Sequence, residues 1–295
     1  MNIAIIGLDS SHTCEYVNRM QNDAFDPAQR TYKMRAASCM AFPTAFQNEE
    51  GITARAEFLR SMGVNVVSDF AEAVTGADAI MIEVNDPELH LKYMTQAITT
   101  KLPLFLDKPM AGNYADAVKI AELVKNNGTR FFTSSPLRFS SYVIAAAQAV
   151  PKPTSVVIWS PIVSPPAGSD IFWYGVHAFE MLQRVMGLGA THVRTLPDEN
   201  GMLCCVSYAN GRRGIIEFTR NHFQYGGILR DQLGNEHMFK VNAPHAEFYG
   251  ETLRAVESFF DGGNTPVDIE ASLEITAMMD AAERSRRGNS THEEV

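Results

Sequence analysis

The sequence is poor in cysteine, and the few cysteines do not form a recognisable framework. Four occur, at positions 14, 39, 204 and 205, with no C-x-x-C pair and no histidines at metal-ligand spacing. Cys204 and Cys205 are adjacent in a predicted strand, where successive side chains point to opposite faces, so they should not bridge each other. We expect reduced packing residues rather than disulfides or a zinc site.

Basic residues are fewer than acidic residues. The chain has 25 lysines and arginines against 34 aspartates and glutamates, which gives a formal net charge of -9. Proteins that neutralise nucleic-acid phosphates usually carry a basic balance or stripe, and no such stripe is visible. The composition therefore argues against a nucleic-acid partner.

Long apolar runs are missing as well. The amino terminus, Met1-Asn2-Ile3-Ala4-Ile5-Ile6-Gly7, has no basic leader, and its apolar run is much shorter than a signal sequence or a membrane span requires. There is no internal repeat and no low-complexity segment. We expect a cytoplasmic protein without a membrane partner.

The 295 residues do contain the pattern of a two-domain α/β protein. Strands alternate with helices over residues 1–135, which predicts a Rossmann-like, doubly wound parallel sheet that binds a dinucleotide. From Met202 strands follow one another directly, and Asn210-Gly211 is typical of a hairpin turn. We expect residues 136–295 to form an α+β domain with an open, mostly antiparallel sheet, whose last helix could pack back on the first domain.

The most informative stretch is Leu104–Gly112, an apolar run that stops at Asp107, Lys108 and Pro109. Proline cannot donate to a sheet ladder and disfavours helix at the residue before it, so the strand should end there. In an open parallel sheet, ligands bind in the crevice outside the carboxyl ends of the strands. Lys108 is therefore a candidate for chemistry, although an isolated Asp-Lys-Pro is also compatible with a surface lysine at an ordinary turn.

A second candidate site joins the first strand to the first helix. A strand, a glycine turn and a helix N-terminus form the phosphate-binding part of dinucleotide sites. The G-x-G-x-x-G fingerprint that starts at Gly7 is incomplete, because Asp9 and His12 stand where the other glycines belong. Ser10 and Ser11 are small polar replacements or simple helix caps. The second predicted strand ends without an acid, so the sequence does not distinguish NAD from NADP.

Several separated pieces of the chain match one family in order and spacing. They are the Gly7 turn, Asn85-Asp86-Pro87 with His90, Leu106-Asp107-Lys108-Pro109 in place of a Glu-Lys-Pro motif, Arg138-Phe139, Gly175-x-His177-x-x-Glu180, and the closing segment Pro266–Ser285. In these pieces the sequence resembles the glucose-fructose oxidoreductase / inositol dehydrogenase / rhizopine catabolism (Gfo/Idh/MocA) family of nicotinamide-dependent oxidoreductases. The resemblance implies a first domain that binds NAD or NADP and a second domain for substrate binding and oligomerisation.

The resemblance also implies a role for the lysine. Lys108 would lie beside the nicotinamide and the reacting hydroxyl, where an ammonium group stabilises the alcohol oxygen as hydride leaves the carbon. Asp107 would orient that ammonium or satisfy backbone donors. The cofactor-binding candidates are Gly7, Asp9, Ser10, Ser11, His12, Asn85, Pro87, His90, Asp107, Lys108 and Pro109.

In the second domain the family motif is Asp-x-Gly-x-His, whose histidine takes the hydroxyl proton. His177 matches this histidine, and an imidazole exchanges a proton near neutral pH. Trp173 stands in place of the aspartate, and Tyr174 should point elsewhere on the helix. A plain helix-face histidine that packs on the sheet is the alternative for His177. The substrate-binding candidates are Lys108, Arg138, Trp173, Tyr174 and His177.

Glu180 and Arg138 each have more than one possible role. His177 and Glu180 lie three apart on one helix face, as metal ligands often do, but no third ligand stands at a recognisable spacing, so we expect no metal. Arg138 follows the sixth predicted strand at the seam between the domains. An interdomain ion pair is the alternative to its substrate-binding role.

The sequence therefore predicts an NAD(P)-dependent oxidoreductase that acts on a hydroxyl-bearing carbon of a sugar, polyol or cyclitol. The missing glycines, the missing ribose acid and Trp173 leave a second hypothesis open, a catalytically altered member that acts as a nucleotide- or sugar-binding regulatory protein. A third hypothesis is a glycosidase that uses bound NAD transiently. We also expect a homodimer or homotetramer, formed through the free face of the second-domain sheet.

Overall fold

The computed structural model describes all 295 residues, and the chain forms two compact units. The first unit comprises residues 1–134 and 245–269, and the second comprises residues 135–244 and 270–295. The predicted boundary after residue 135 lies one residue from this division. The segment 245–269, which we expected in the second domain, belongs to the first unit.

The first unit is built on a six-stranded parallel sheet of order β3-β2-β1-β4-β5-β6. The strands are β1 Asn2–Ile6, β2 Arg35–Met40, β3 Asn65–Val67, β4 Ala79–Ile82, β5 Leu104–Asp107 and β6 Phe131–Ser134. The chain winds outward in opposite directions from the centre, so the strand order reverses between β1 and β4. This is the strand order of dinucleotide-binding sheets, in which ligands bind at the reversal, outside the carboxyl ends of the strands.

Several of the nine helices begin at a residue whose side chain caps the N-terminus. The nine helices are α1 Ser11–Gln21, α2 Glu49–Ser61, α3 Phe70–Val74, α4 His90–Ala97, α5 Tyr114–Asn127, α6 Ser141–Ala149, α7 Val176–Met186, α8 Glu247–Phe260 and α9 Ile269–Arg287. Side chains of Asn48, Asp69 and Asn113 cap α2, α3 and α5. No helix combines the length and apolar character needed to cross a bilayer.

The remaining helical segments are short turns. The 3₁₀ turns are Pro27–Gln29, Pro87–Leu89, Ile98–Thr100, Pro136–Phe139 and Ala209–Gly211, and Ile171–Gly175 is a π-helical turn that leads into α7. The stretch Ile171–Met186 is therefore helical in two parts. The π turn belongs to the predicted substrate-binding stretch, and π turns are frequent at functional sites.

Helix α8 belongs to the first unit because it packs on α1 through a buried arginine. The side chain of Arg19 is inaccessible to solvent and donates to Gln29 Oε1 at 3.0 Å and to the carbonyl oxygens of His245 and Ala246 at 3.2 Å each. Gly250 allows the close approach, since a Cβ there would lie 2.8 Å from the carbonyl oxygen of Gln29. The contacts to His245, Ala246 and Gly250 join residues that are more than 200 positions apart, and no local pattern predicts them.

The second unit is built on a seven-stranded sheet of order β12-β11-β7-β10-β9-β8-β13. The strands are β7 Ser155–Pro161, β8 Ala190–Pro197, β9 Gly201–Tyr208, β10 Arg213–Thr219, β11 Gly226–Arg230, β12 Glu236–Lys240 and β13 Glu293–Glu294. Among neighbouring strands only β7 and β10 run parallel. The predicted fold class, a Rossmann-like parallel sheet followed by an α+β domain with a mostly antiparallel sheet, is confirmed.

Some elements of the second unit were not predicted. The strand β8, the helix α6 and the short strand β13 were not predicted from the sequence. In β8, Val193 and Thr195 are buried, and Thr195 donates its hydroxyl to the carbonyl of Ala282 on α9 at 2.9 Å. Only alternate residues of this strand face α9, so its apolar content is low. The two adjacent cysteines of β9 behave as predicted: both are free, and Cys204 is fully buried while Cys205 is half-exposed.

Candidate functional site

The glycine turn after β1 has a backbone that requires glycine. Gly7 has a φ of +106°, and its N–H donates to the carbonyl of Met40 on β2 at 3.0 Å. A Cβ at this position would lie 2.8 Å from the backbone nitrogen of Val84. The turn leads into α1, whose N-cap Ser10 accepts a hydrogen bond from the backbone N–H of His12 at 3.1 Å. The N-terminus of α1 therefore lies at the reversal of strand order.

Asp9, at the position of the second fingerprint glycine, holds neighbouring loops together. It is buried, and its carboxylate accepts hydrogen bonds from the backbone N–H of Asn85 at 2.9 Å and from the hydroxyl of Thr44 at 2.8 Å. Burial raises the pKa of Asp9, which these hydrogen bonds oppose. The side chain thus links the loops that follow β1, β2 and β4, while Ser11 is exposed at the first position of α1.

The end of β5 carries a buried group of charged side chains. Asp107 is inaccessible to solvent and Lys108 is 5% exposed, so the alternative of a surface lysine at an ordinary turn is wrong. Oδ2 of Asp107 lies 2.9 Å from Nδ1 of His12 and 3.9 Å from Nζ of Lys108. Burial raises the pKa of Asp107, but His12 and Lys108 outweigh it and lower the value to about 2. Three residues singled out from the sequence therefore meet at one carboxylate oxygen.

Sequence reasoning missed other members of this group. Glu83 follows β4 directly, is inaccessible to solvent, and has a pKa raised well above its usual value by burial and by Asp107. The ring of His12 packs edge-on against Tyr249 of α8, at a centroid distance of 5.0 Å, and against Tyr16. The available signal for Glu83 was a single acid in the apolar run Ile80-Met81-Ile82-Glu83-Val84. No local signal identified Tyr249.

His90 and Pro109 connect the loops beside this group. His90 is fully buried, with Nδ1 2.8 Å from the carbonyl oxygen of Pro109 and Nε2 2.7 Å from that of Val84. Pro87 is buried as well, and its carbonyl accepts from the N–H of Gly112 at 3.2 Å. His90 and Pro87 therefore hold the loops after β4 and β5 together, and these contacts favour a supporting role.

The residues of the first unit fit a dinucleotide. The turn at Gly7 directs the N-terminus of α1 to the reversal of strand order, and the first turn of that helix carries no acidic residue. The carboxylate of Asp9 is held by its two hydrogen bonds, and Asp9 is buried. The incomplete fingerprint therefore leaves the strand, turn and helix of such a site in place.

In the second unit, His177 lies on α7 among aromatic rings. Its Nδ1 is 2.6 Å from the hydroxyl oxygen of Ser135, and the rings of Tyr174 and Tyr225 meet it edge-on at centroid distances of 5.4 Å and 6.0 Å. The ring of Trp173 lies against Tyr174 at 5.7 Å. Trp173, Tyr174 and His177 are thus brought together, and Ser135, which no sequence signal identified, is the polar partner of the histidine.

Arg138 lies in a buried ion pair within the second unit. Its Nη1 is 3.0 Å from Oε2 of Glu180, and its Nη2 donates to Oε1 of Gln183 at 2.7 Å. The other oxygen of Glu180 accepts from the backbone N–H of Ser135 at 3.1 Å. The interdomain alternative for Arg138 is therefore wrong, because both partners belong to its own unit. Glu180 has an arginine partner, which weakens the idea of a metal ligand at this position.

Comparison with known proteins identifies the first unit. Residues 1–135 match the family described as the oxidoreductase family with an NAD-binding Rossmann fold (GFO_IDH_MocA). Within residues 1–135, the match agrees with the predicted family and with the predicted NAD-type cofactor. No curated protein matches the sequence.

Solved structures share the fold over the whole chain. Myo-inositol dehydrogenase from Lactobacillus casei, in complex with NAD(H) and myo-inositol, has a TM-score of 0.81 at 12% identity and covers 100% of this chain and 96% of its own. Scyllo-inositol dehydrogenase from the same organism, with NAD(H) and scyllo-inositol, has a TM-score of 0.76 at 13% identity, with 100% and 98% covered. An oxidoreductase from Agrobacterium radiobacter, in complex with NAD+, L-tartaric acid and magnesium, has a TM-score of 0.75 at 16% identity, with 100% and 98% covered. At these identities the likeness concerns the fold.

Proposed function

We propose that this chain, whose residues 1–135 match the Gfo/Idh/MocA family of NAD-binding oxidoreductases, transfers hydride between NAD and a hydroxyl-bearing carbon of a sugar, polyol or cyclitol. The single observation that carries this proposal is the buried Lys108 at the end of β5, with Asp107 beside it. A cyclitol is favoured among these substrates because two solved structures of the same fold contain inositols.

The residues of the first unit would bind the dinucleotide and orient the substrate. The glycine turn and the N-terminus of α1 would face the pyrophosphate, with Ser10 fixing the start of the helix. When bound, NAD supplies the hydride acceptor, which is the difficult part of the chemistry. Lys108 would donate a hydrogen bond to the substrate oxygen and stabilise the negative charge that develops there. Asp107 would hold the ammonium in place.

In the second unit, His177 is the proposed proton acceptor. The Ser135 hydroxyl lies at hydrogen-bond distance from Nδ1 of His177, so it can orient the ring as the aspartate of the family motif would. Trp173 cannot accept a proton, because its indole nitrogen is only a donor. With Tyr174, it supplies an aromatic surface on the π turn that suits the apolar faces of a cyclic polyol.

The regulatory hypothesis is weaker than the oxidoreductase hypothesis. A binding protein has no need of an ammonium that is buried beside a carboxylate of low pKa, and such perturbed groups cluster at catalytic sites. The cytoplasmic location remains a prediction.

The test combines cofactor binding with turnover. Wild-type protein is titrated with NADH and with NADPH while nicotinamide fluorescence and the unfolding midpoint are followed, and then it is assayed for NAD reduction with inositols, hexoses and polyols. We expect NADH to bind in the micromolar range and an inositol-like substrate to be oxidised. The Lys108→Ala variant should retain NADH binding and lose turnover by about 10³-fold or more.

The matched control is Lys119→Ala, which removes a lysine of α5 whose side chain is 59% exposed. It should leave both binding and turnover unchanged. Full turnover in Lys108→Ala would contradict the catalytic role of Lys108. A folded protein that binds neither dinucleotide would contradict the oxidoreductase function.

We also propose that the protein assembles through the outer face of the second-unit sheet. Helices α6 and α7 pack against one face of this sheet. On the other face, a row of directly paired residues crosses five strands, from Met238 through Ile228, Val157 and Ile215 to Cys205. None of the five is buried, and Met238 is 70% exposed. A continuous apolar row of this kind is typical of an interface between copies of a chain.

A further inference from the structure

Glu83 is a buried acid without a partner. It follows β4 in the loop that faces β5, its side chain is inaccessible to solvent, and neither carboxylate oxygen has a hydrogen-bond partner. Leaving a buried carboxylate ionised and unpaired is among the most expensive arrangements in a protein interior. The side chain must therefore be neutral or must bind a cation.

A second buried carboxylate lies close by. One ligand-type atom from each of His12, Glu83 and Asp107 lies within 4.8 Å of the others, and Asp107 is as inaccessible as Glu83. Two carboxylates that share a site cannot both be ionised cheaply, because each charge disfavours the other. One of them should hold a proton.

The distances identify which one is neutral. Both positive or hydrogen-bonding neighbours contact Asp107, with His12 Nδ1 at 2.9 Å and Lys108 Nζ at 3.9 Å from the same Oδ2. No lysine, arginine or histidine nitrogen lies within ion-pair distance of Glu83, and Lys108 already supplies the one positive charge that a single ionised carboxylate requires. A divalent cation at the same place would lie beside the Lys108 ammonium and be repelled by it.

We propose that Glu83 carries a proton in the folded protein at neutral pH and, as the neutral half of an acid–carboxylate pair with Asp107, positions a single negative charge beside Lys108. The protonation itself needs no cofactor and no substrate. Its consequence for catalysis rests on the proposed function.

The groups that face Glu83 support the neutral form. They are His12 and Tyr16 from α1, Cys39 from β2, and Asp107 and Lys108 from the end of β5. Tyr16 is fully buried with an unpartnered hydroxyl, and the thiol of Cys39 is buried with a raised pKa, so neither contributes a positive charge. Burial and Asp107 raise the pKa of Glu83, and Lys108 only partly opposes them.

The direct test is infrared spectroscopy of the purified protein. A carboxylic acid has a carbonyl stretch that an ionised carboxylate lacks, and ¹³C-labelled glutamate shifts that band whereas labelled aspartate does not. We expect a glutamate-dependent acid band at pH 7 in the wild type that is absent from Glu83→Gln. The control is Glu122→Gln, on the exposed side of α5, which should retain the band. The labelled wild type alone tests the proposal if Glu83→Gln does not fold.

The pH dependence of unfolding provides a second readout. The pKa of Glu83 is raised on folding, so between pH 4.5 and its folded pKa the native state holds a proton that the unfolded state lacks. Stability should therefore fall as pH rises through this window, and Glu83→Gln should lose that slope while Glu122→Gln keeps it. The alkaline limb of the wild-type kcat profile should shift in Glu83→Gln as well, a change that a purely structural role would not produce.

Three results would overturn the proposal. They are the absence of a glutamate acid band at pH 7, identical unfolding slopes in wild type and Glu83→Gln, and a stoichiometric metal ion in the purified protein whose removal by a chelator lowers the midpoint. The infrared and unfolding measurements require no dinucleotide. A protein that shows the acid band but does not bind NADH would thus retain this proposal and contradict the oxidoreductase function.

Discussion

At the scale of single residues, side chains that break the dinucleotide fingerprint have definite structural partners. Asp9 ties three loops together, and His12 places its ring nitrogen against Asp107. Glycine at position 9 or position 12 would remove these contacts. The absence of the fingerprint glycines and the presence of these buried polar contacts are therefore connected. At both positions the side chain that stands in place of a fingerprint glycine therefore has a polar partner.

Gly7 is the one glycine of the fingerprint that this sequence retains. We expect Gly7→Ala to lower the free energy of unfolding by about 3 kcal/mol or more, because alanine is strained at a φ of +106° and its Cβ would lie 2.8 Å from the backbone nitrogen of Val84. Urea denaturation measures this loss. NADH binding should weaken as well, since the turn directs α1.

A control variant separates the backbone strain of a positive φ from the steric overlap of the added Cβ. Gly76 also has a positive φ, of +74°, but a Cβ there would meet nothing within 4 Å. Gly76→Ala should cost only about 1 kcal/mol. Equal losses in the two variants would mean that the close contact with Val84 does not constrain Gly7.

At the scale of elements, we expect the N-terminus of α1 to contribute to NADH binding, whereas the N-termini of other helices should not. Ser10 caps α1 and Asn113 caps α5, with cap distances of 3.1 Å and 2.9 Å. Ser10→Ala and Asn113→Ala should each lower the unfolding free energy by about 1 kcal/mol. Only Ser10→Ala should also weaken NADH binding, measured by fluorescence titration. Equal binding by both variants would contradict a pyrophosphate site at α1.

Elements with a strong local pattern could be predicted from the sequence. The strands β1, β4 and β5 are mostly apolar runs, and the run that ends at Asp107-Lys108-Pro109 indicated a strand end and a lysine that is a candidate for chemistry. The strand β8 could not be predicted, because its burial depends on α9, some 90 residues further along the chain. In the candidate site Lys108 was predictable, whereas Ser135 and Tyr249 were not, since tertiary contacts alone bring them to the histidines.

At the scale of the whole molecule, the chain crosses between its two units more than once. Residues 245–269 return to the first unit after the second sheet is complete, and α9 then belongs to the second unit. The sequence predicted a returning helix but placed it at the end of the chain. The element that returns is α8, held by the hydrogen bonds of Arg19 to His245 and Ala246. A buried arginine carries no sequence signal for its partner.

Assembly through the outer sheet face gives a prediction for the whole molecule. We expect the wild type to be a dimer or tetramer in light scattering, and Ile228→Lys to shift it toward the monomer, because a lysine within the apolar row would be desolvated without a partner. The control is Leu233→Lys: Leu233 is 87% exposed, but it lies in the turn between β11 and β12, away from the row. A monomeric wild type, or dissociation by both variants alike, would contradict an interface on this face.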